Sequence, residues 1–217
     1  MSRQEINEGI VMKLILENWR QYLEEGATFP TTVFHGSPDD FDFIKDFQFG
    51  GDHPGVGSLY TFFTPEPAKE FALLHADHNF QLNGREGWVY EINLKPGASI
   101  IDLTDFSNYG EKHELIKQRI MPLLVRAARA NRTLPRDFVV DESVWKTFVE
   151  CGGNMCVYDL LDYNAELVQS LSDIGVDGLI FIDGLDEIGI DQIKVLAMFN
   201  TKSIKEVRKA RVSENRN

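Results

Sequence analysis

Cysteine is nearly absent from this sequence, which excludes the disulfide-rich class of small secreted folds. Cys151 and Cys156 are the two cysteines among 217 residues. Their spacing matches neither a redox C-x-x-C motif nor a zinc site. We therefore expect two reduced, structural thiols.

Long apolar runs are also missing from the chain. No stretch approaches the roughly 18 consecutive apolar residues that a membrane-spanning helix needs. The first residues are polar and acidic and do not have the pattern of a secretory leader. These features predict a cytoplasmic protein with no membrane partner.

Basic residues are outnumbered by acidic ones. The chain has 22 Lys and Arg against 34 Asp and Glu, which gives a formal net charge of −12. Tight, non-specific binding of nucleic acid relies on basic side chains that neutralise phosphates. The charge balance argues against such a partner, but a small anionic ligand needs only one local pocket.

What the chain does contain is typical of a globular protein. Its composition is 43% hydrophobic and 26% charged, and 15 phenylalanines provide much of the volume for a core. The length suits one domain with additions better than two full domains.

Turn residues and hydrophobic periodicity divide the chain into a helix, a strand region, a helical middle and a second strand region. We predict an N-terminal amphipathic helix within residues 1–27 and a domain over residues 28–206, with a helical insertion at about 105–173. Residues 207–217 are a polar tail, which we expect to be disordered from Arg208. Because strands and helices do not alternate as βαβ units, the predicted fold class is α+β with a split, mostly antiparallel sheet.

Strand and helix signals set the predicted elements of this domain. The predicted strands cover residues 31–35, 59–63, 88–94, 100–103, 178–182 and 193–199. The predicted helices cover residues 65–75, 111–130 and 157–173, and Thr64 is the expected N-cap of the first, with Pro65 at its first position. Gly36 is expected to end the first strand, and residues 50–57 form a Gly-rich loop.

Several short motifs occur in a characteristic order. They are H-G-S at 35–37, the Gly-rich loop, F-F-T-P-E-P at 62–67, A-K-E-F-A at 68–72, W-V-Y-E-I-N-L at 88–94, V-D-G-L-I-F at 176–181 and V-L-A-M-F-N at 195–200. In order and spacing they resemble the ADP-ribosyltransferase superfamily, in the His-Tyr-acid branch that includes diphtheria-like toxins and poly(ADP-ribose) polymerases. Phage and polyvalent-protein members resemble the chain most. The resemblance covers about half of the chain, residues 31–103 and 174–206.

The resemblance implies a fold of the ADP-ribosyltransferase type and a reaction that consumes NAD⁺. NAD⁺ would be the co-substrate, without a metal, and its ADP-ribose would pass to a host macromolecule, a protein or a nucleic acid, with release of nicotinamide. It would also imply a viral or mobile-element effector. Two alternatives stay open: an NAD⁺ glycohydrolase, and an NAD⁺- or nucleotide-binding module of this fold without turnover. A tRNA 2′-phosphotransferase shares the fold but is disfavoured by the net charge.

The H-G-S motif would form one side of the NAD⁺ site. NAD⁺ carries a good leaving group, so such an enzyme needs to position it and stabilise developing positive charge more than it needs a strong nucleophile. The resemblance implies that His35 hydrogen-bonds the nicotinamide-side ribose. Gly36, which has no side chain, would let its backbone approach the carboxamide. Ser37 and Thr64 would complete the NAD⁺-binding set.

An aromatic ring is expected to stack on the nicotinamide. The family tyrosine aligns with Phe62, which can stack but cannot donate a hydrogen bond. Tyr60 lies two residues earlier on the same strand face and adds a hydroxyl. Tyr60 is our first choice, and Phe62 stays a candidate.

The third catalytic position departs from the family pattern. The family acid lies four residues before an aromatic that matches Phe199, and this position holds Val195. Asp191 shares the face of Phe199 if the strand extends, whereas a β-bulge would present Gln192 instead. Glu187, in the preceding loop, is a further candidate. The catalytic set predicted from the sequence is therefore His35 and Tyr60 with Asp191 or Gln192.

No metal site is predicted. His75, Asp77 and His78 lack a visible further ligand, and the acidic run at 183–191 lacks the order of a calcium-binding loop. The carboxylates of this run are interpreted as a solvated loop unless one of them serves the NAD⁺ site.

Overall fold

A computed structural model describes residues 31–40, 58–75, 85–104, 111–130, 157–162, 164–185 and 190–214 of the chain. The predicted N-terminal helix, the Gly-rich loop, Glu187 and both cysteines lie outside these ranges, so the predictions for them stay predictions. Within the described part, no helix is long and apolar enough to cross a membrane.

Seven strands of the described residues form one sheet in the order β4-β5-β6-β2-β1-β3-β7. Their bounds are Thr32–Ser37 (β1), Leu59–Phe62 (β2), Arg85–Leu94 (β3), Ile100–Asp102 (β4), Gly178–Leu185 (β5), Ile190–Met198 (β6) and Ile204–Glu214 (β7). The β4–β5 pair is parallel and every other pair is antiparallel. This confirms the α+β class and the mostly antiparallel sheet.

The β1–β2 pair has the fewest paired residues of any two neighbouring strands in the sheet. These two strands share one register pair, Phe34 with Phe62, whereas β1 shares six pairs with β3 and β2 shares four with β6. The sheet therefore consists of two well-paired halves, β4-β5-β6-β2 and β1-β3-β7, that meet at a narrow junction.

Alternation along the strands gives the sheet two apolar faces. One face, which we call the helix side, packs under the helices and includes Phe62, Phe181 and Val195. The opposite face carries a second cluster with residues from both halves, such as Val33 and Ile180. The junction is thus supported by buried apolar contacts on both faces.

Four helices of the described residues accompany the sheet. They are Pro65–His75 (α1), Glu111–Ala130 (α2), Val157–Asp162 (α3) and Ala165–Asp173 (α4). The region predicted to be helical over 157–173 is confirmed as two helices, because Asn164 caps the start of the second: its side chain accepts a hydrogen bond from Leu167 N at 2.9 Å. As predicted, α1 begins at Pro65, whose missing N–H costs nothing in the first turn.

Helix α1 lies unusually close to β1 and β3. A Cβ atom added at Gly36 would be 1.9 Å from the Ala68 carbonyl oxygen, and one added at Gly87 would be 2.8 Å from the Ala72 carbonyl oxygen. Glycine on the strands and alanine on the helix therefore permit this approach. The predicted strand end at Gly36 is wrong, because β1 continues through Gly36 to Ser37.

The expectation that the chain is disordered from Arg208 onward is wrong for residues 208–214, which belong to strand β7. Residues of β7 pair with β3 from Ile204–Leu94 to Glu214–Arg85. The polarity that suggested a tail belongs to an edge strand, since charged side chains on an outer strand discourage pairing with other chains.

Replacing Gly36 with Ala should destabilise the protein strongly, because the new methyl group would collide with the backbone of α1. We expect a loss of at least about 2–3 kcal/mol in the free energy of unfolding, as in overpacked cores. Gly97→Ala is the control, since Gly97 has φ 82° and open space around it. It should cost only the backbone strain of about 1 kcal/mol. Urea unfolding of the two variants with equal losses would contradict the close packing of α1.

Candidate functional site

The side chain of His35 lies at the junction between the two halves of the sheet. Its Nδ1 is 2.8 Å from the backbone carbonyl oxygen of Tyr60. A carbonyl only accepts hydrogen bonds, so Nδ1 carries the proton and donates. This contact fixes the ring as the Nδ1–H tautomer and makes Nε2 its acceptor atom.

Burial keeps this imidazole neutral. Removal from water lowers the pKa of His35 from 6.5 to about 4, and the hydrogen bond to Tyr60 acts in the opposite direction but is the smaller effect. At neutral pH the ring is therefore an uncharged donor–acceptor group, suited to binding a hydroxyl.

The same contact accounts for the end of the β1–β2 pairing. Extending the register from Phe34–Phe62 would place Gly36 opposite Tyr60. In place of a backbone pair at this point, the Tyr60 carbonyl accepts the imidazole N–H of His35. The imidazole is thus inserted where the two strands diverge.

The backbone of Gly36 is directed toward β2. Leu94 N donates to Thr31 O at 2.7 Å, which sets the phase of the β1–β3 ladder. Polar groups of alternate residues in an antiparallel strand point to opposite neighbours, so those of Thr31, Val33 and His35 face β3. The N–H and C=O of Gly36 therefore face the gap that opens between β1 and β2, which offers one donor and one acceptor in one plane.

The two candidate aromatic residues lie on the helix side of the sheet, as their spacing predicted. Phe62 is 4% exposed and its ring centroid is 6.4 Å from that of Phe71 on α1. Tyr60 is partly buried: its ring is 4.7 Å from that of Tyr158, and its hydroxyl donates to the Tyr158 carbonyl at 3.5 Å. Tyr60 is therefore the more accessible of the two candidates. Sequence reasoning did not single out Phe71, although its place one turn after Ala68 on α1 could have suggested it.

Alternation places the side chains of His35 and Tyr60 on opposite faces of the sheet. His35 lies on the same face as Val33 and Tyr90, and the His35 and Tyr90 ring centroids are 6.2 Å apart. His35 and Tyr60 meet through the imidazole and a backbone carbonyl, and the structure does not bring their two rings together on one face.

The expected acid position is apolar. Val195 lies directly opposite Phe62 in the β2–β6 register and is 1% exposed. Asp191 and Gln192 lie three to four residues further along β6, roughly 10–13 Å away along the strand. Both therefore lie past the end of β2, away from His35.

A register irregularity occurs at this end of β6. Asp183 pairs with Ile193 and Leu185 pairs with Ile190, so β6 has one residue more than β5 between these two pairs. A bulge was one of the two possibilities weighed for Gln192, which is exposed here. Asp183 lies within β5 and is 8% exposed, so its assignment to a solvated loop is wrong.

The remaining predicted residues flank the junction. Ser37 ends β1 and is buried, and its Oγ accepts a hydrogen bond from Asp39 N at 3.1 Å. Thr64 is exposed and precedes α1. The described residues contain no group of three or more His, Cys, Asp or Glu side chains that could hold a metal ion.

Comparison with known proteins adds no relative: no protein-family model, no curated protein and no solved structure matches this chain.

The lowered pKa of His35 predicts a specific pH dependence of stability. His35 takes up a proton less readily in the folded state than in the unfolded chain. The free energy of unfolding is therefore constant above about pH 6.5 and falls as the pH drops toward about 4. In His35→Gln an amide N–H can still donate to Tyr60, but nothing titrates. Between about pH 7 and pH 4.5 we expect wild type to lose roughly 1–2 kcal/mol more than this variant, after allowance for solvent screening. Urea titrations at both pH values measure the difference, and equal losses would show that His35 is not shielded.

Proposed function

We propose that this protein binds NAD⁺ in the gap between β1 and β2 and transfers its ADP-ribose to a macromolecular acceptor, with release of nicotinamide. The proposal includes a fold of the ADP-ribosyltransferase type. One observation carries it: the neutral His35 ring is fixed on the Tyr60 carbonyl at the point where the Gly36 backbone turns toward the gap. The H-G-S motif and the motifs that follow it support the same assignment.

The Gly36 backbone suits a carboxamide. A primary amide presents one carbonyl acceptor and an NH₂ donor on the same edge, which complements the N–H and C=O of one residue on a strand edge. Helix α1 covers the helix side of Gly36, so a ligand has to approach from the gap. This would hold the nicotinamide in the plane of the strand.

His35 suits the adjoining ribose. Its neutral Nε2 can accept a hydrogen bond from a ribose hydroxyl, and its Nδ1 proton is already used by Tyr60. In the reaction, the bond from ribose C1′ to the nicotinamide nitrogen breaks and nicotinamide leaves with the electron pair. A lone pair of the acceptor forms the new bond to C1′, and the acceptor loses its proton. With water as the acceptor, the same steps give NAD⁺ glycohydrolase activity.

A binding module without turnover is the second candidate, and Val195 favours it. A carboxylate near the breaking bond would stabilise developing positive charge, as in glycoside hydrolysis. The position opposite Phe62 holds a buried valine, which cannot do this. Transfer therefore requires Asp191, Gln192 or another group to approach the ribose, whereas binding does not.

The test measures NAD⁺ binding by calorimetry and nicotinamide release by chromatography. His35→Ala should lower nicotinamide release more than about tenfold, a loss of about 1.4 kcal/mol in the transition state. Its melting temperature should stay within about 5 °C of wild type. Thr32→Val is the matched control on β1, because Thr32 bonds Asn93 at 2.7 Å and lies away from the gap. This control should keep full activity.

The outcomes separate the candidates. No NAD⁺ binding by wild type at millimolar concentration would end the proposal. If NAD⁺ binds but no nicotinamide is released with any acceptor offered, the protein is a binding module without turnover.

To identify the acceptor, labelled NAD⁺ is incubated with a host lysate, which is then treated separately with protease and nuclease. If protease removes the label from the macromolecules, the acceptor is a protein. If nuclease removes it, the acceptor is a nucleic acid.

A further inference from the structure

The segment that follows the H-G-S motif, residues 38–40, is held by parts of the chain distant in sequence. Asp39 N donates to Ser37 Oγ at 3.1 Å, which turns the chain back just after β1. The hydroxyl of Tyr90 on β3 donates to the Asp39 carbonyl at 3.2 Å. Tyr90 is 1% exposed, so this contact comes from a fixed side chain.

The far end of the segment is held by the edge strand. The ammonium group of Lys209 on β7 forms an ion pair with the carboxylate of Asp40. The same nitrogen lies 5.0 Å from the ring centroid of Trp88, a cation–π contact that limits the positions open to the lysine. Asp40 is therefore paired with an ammonium group whose position is restricted by Trp88 on β3.

These contacts lie along a row that starts at His35. His35 is opposite Tyr90 in the β1–β3 register, and Tyr90 is opposite Lys209 in the β3–β7 register. Residues opposite one another share a face of the sheet, and neighbouring strands are about 4.8 Å apart, so the row spans about 10 Å. The 38–40 segment is tied to Tyr90 and Lys209 and therefore lies over this row, on the face of the sheet that carries His35.

We propose that Lys209 is a positioning residue for the NAD⁺ site. Through Asp40 it holds the 38–40 segment along the row, where the segment forms one wall of the space beside the His35 imidazole. This inference rests on the proposed function, in which that space takes the nicotinamide-side ribose. It also assigns a role at the site to β7, which lies outside the H-G-S motif and at the far end of the sequence.

The energetics favour positioning over a role in folding. The side chains of Lys209 and Asp40 are 44% and 45% exposed, and ion pairs this exposed contribute little to stability. Loss of Lys209 should therefore leave the fold intact and release the Asp40 end of the segment. A ligand would then have to order this wall on binding, which weakens affinity.

Arg211 provides a matched control. It lies two residues further along β7 on the same face, and it forms a similarly exposed ion pair, with Glu86 on β3. This ion pair does not involve the 38–40 segment. Arg211→Met and Lys209→Met therefore remove equivalent charges from one strand, but only the second releases the segment.

The experiment combines hydrogen exchange of the Asp39 and Asp40 amides with NAD⁺ titration of the full chain. Lys209→Met should speed amide exchange at Asp39 and Asp40 and weaken NAD⁺ binding about tenfold, because the cost of ordering the segment is then included in binding. Lys209→Arg should restore both values. Arg211→Met should match wild type in both, and all variants should melt at nearly the same temperature.

Three results would overturn the inference. In the first, the amide exchange rate or the NAD⁺ affinity of Lys209→Met is the same as that of Arg211→Met. In the second, Lys209→Arg does not retain the wild-type exchange rate and affinity, although the proposed role requires only the cation. Both leave the proposed function standing when wild type binds NAD⁺. The third, wild type that binds no NAD⁺, overturns the proposed function and the role of Lys209 together.

Discussion

The hydrogen bond from His35 Nδ1 to the Tyr60 carbonyl is the contact on which the candidate site depends. It fixes the tautomer, holds the partly buried ring where desolvation lowers its pKa and keeps it neutral, and occupies the carbonyl that Gly36 would otherwise face. This side-chain contact lies where the pairing of β1 and β2 ends, next to the N–H and C=O of Gly36 that face β2.

Close packing of α1 gives Gly36 a second physical reason to be glycine. Any Cβ there would meet the backbone of the helix, so the residue is required for folding whether or not a ligand is bound. Glycine alone therefore does not indicate a binding site at this position. The direction of its backbone is more informative: α1 packs on one side of Gly36, β3 takes the ladder bonds of its neighbours, and the N–H and C=O of Gly36 face β2.

Sequence patterns predicted the local elements well and the long-range relations poorly. Two local signals were sufficient. The alternation in W-V-Y-E-I-N-L predicted strand β3, and the Thr64-Pro65 pair predicted the start of α1. The edge strand β7 was missed because its exposed, charged side chains have the composition of a tail, and only its pairing with β3 makes it a strand. The distance of Asp191 and Gln192 from His35 depends on the register of β6 against β2, which no local pattern encodes.

In the proposed function, binding and turnover would depend on opposite sides of this junction. The β1 side supplies directed hydrogen-bonding groups, which would position NAD⁺ for the departure of nicotinamide. Acceleration needs a group whose interaction grows as positive charge develops on the ribose, and such a group would belong on the β6 side. There the register puts Val195 opposite Phe62, with Gln192 and Asp191 several residues beyond it. In the proposed function, the choice between ADP-ribose transfer and NAD⁺ binding without turnover would therefore depend on whether a carboxylate or amide can reach the ribose from the beginning of β6.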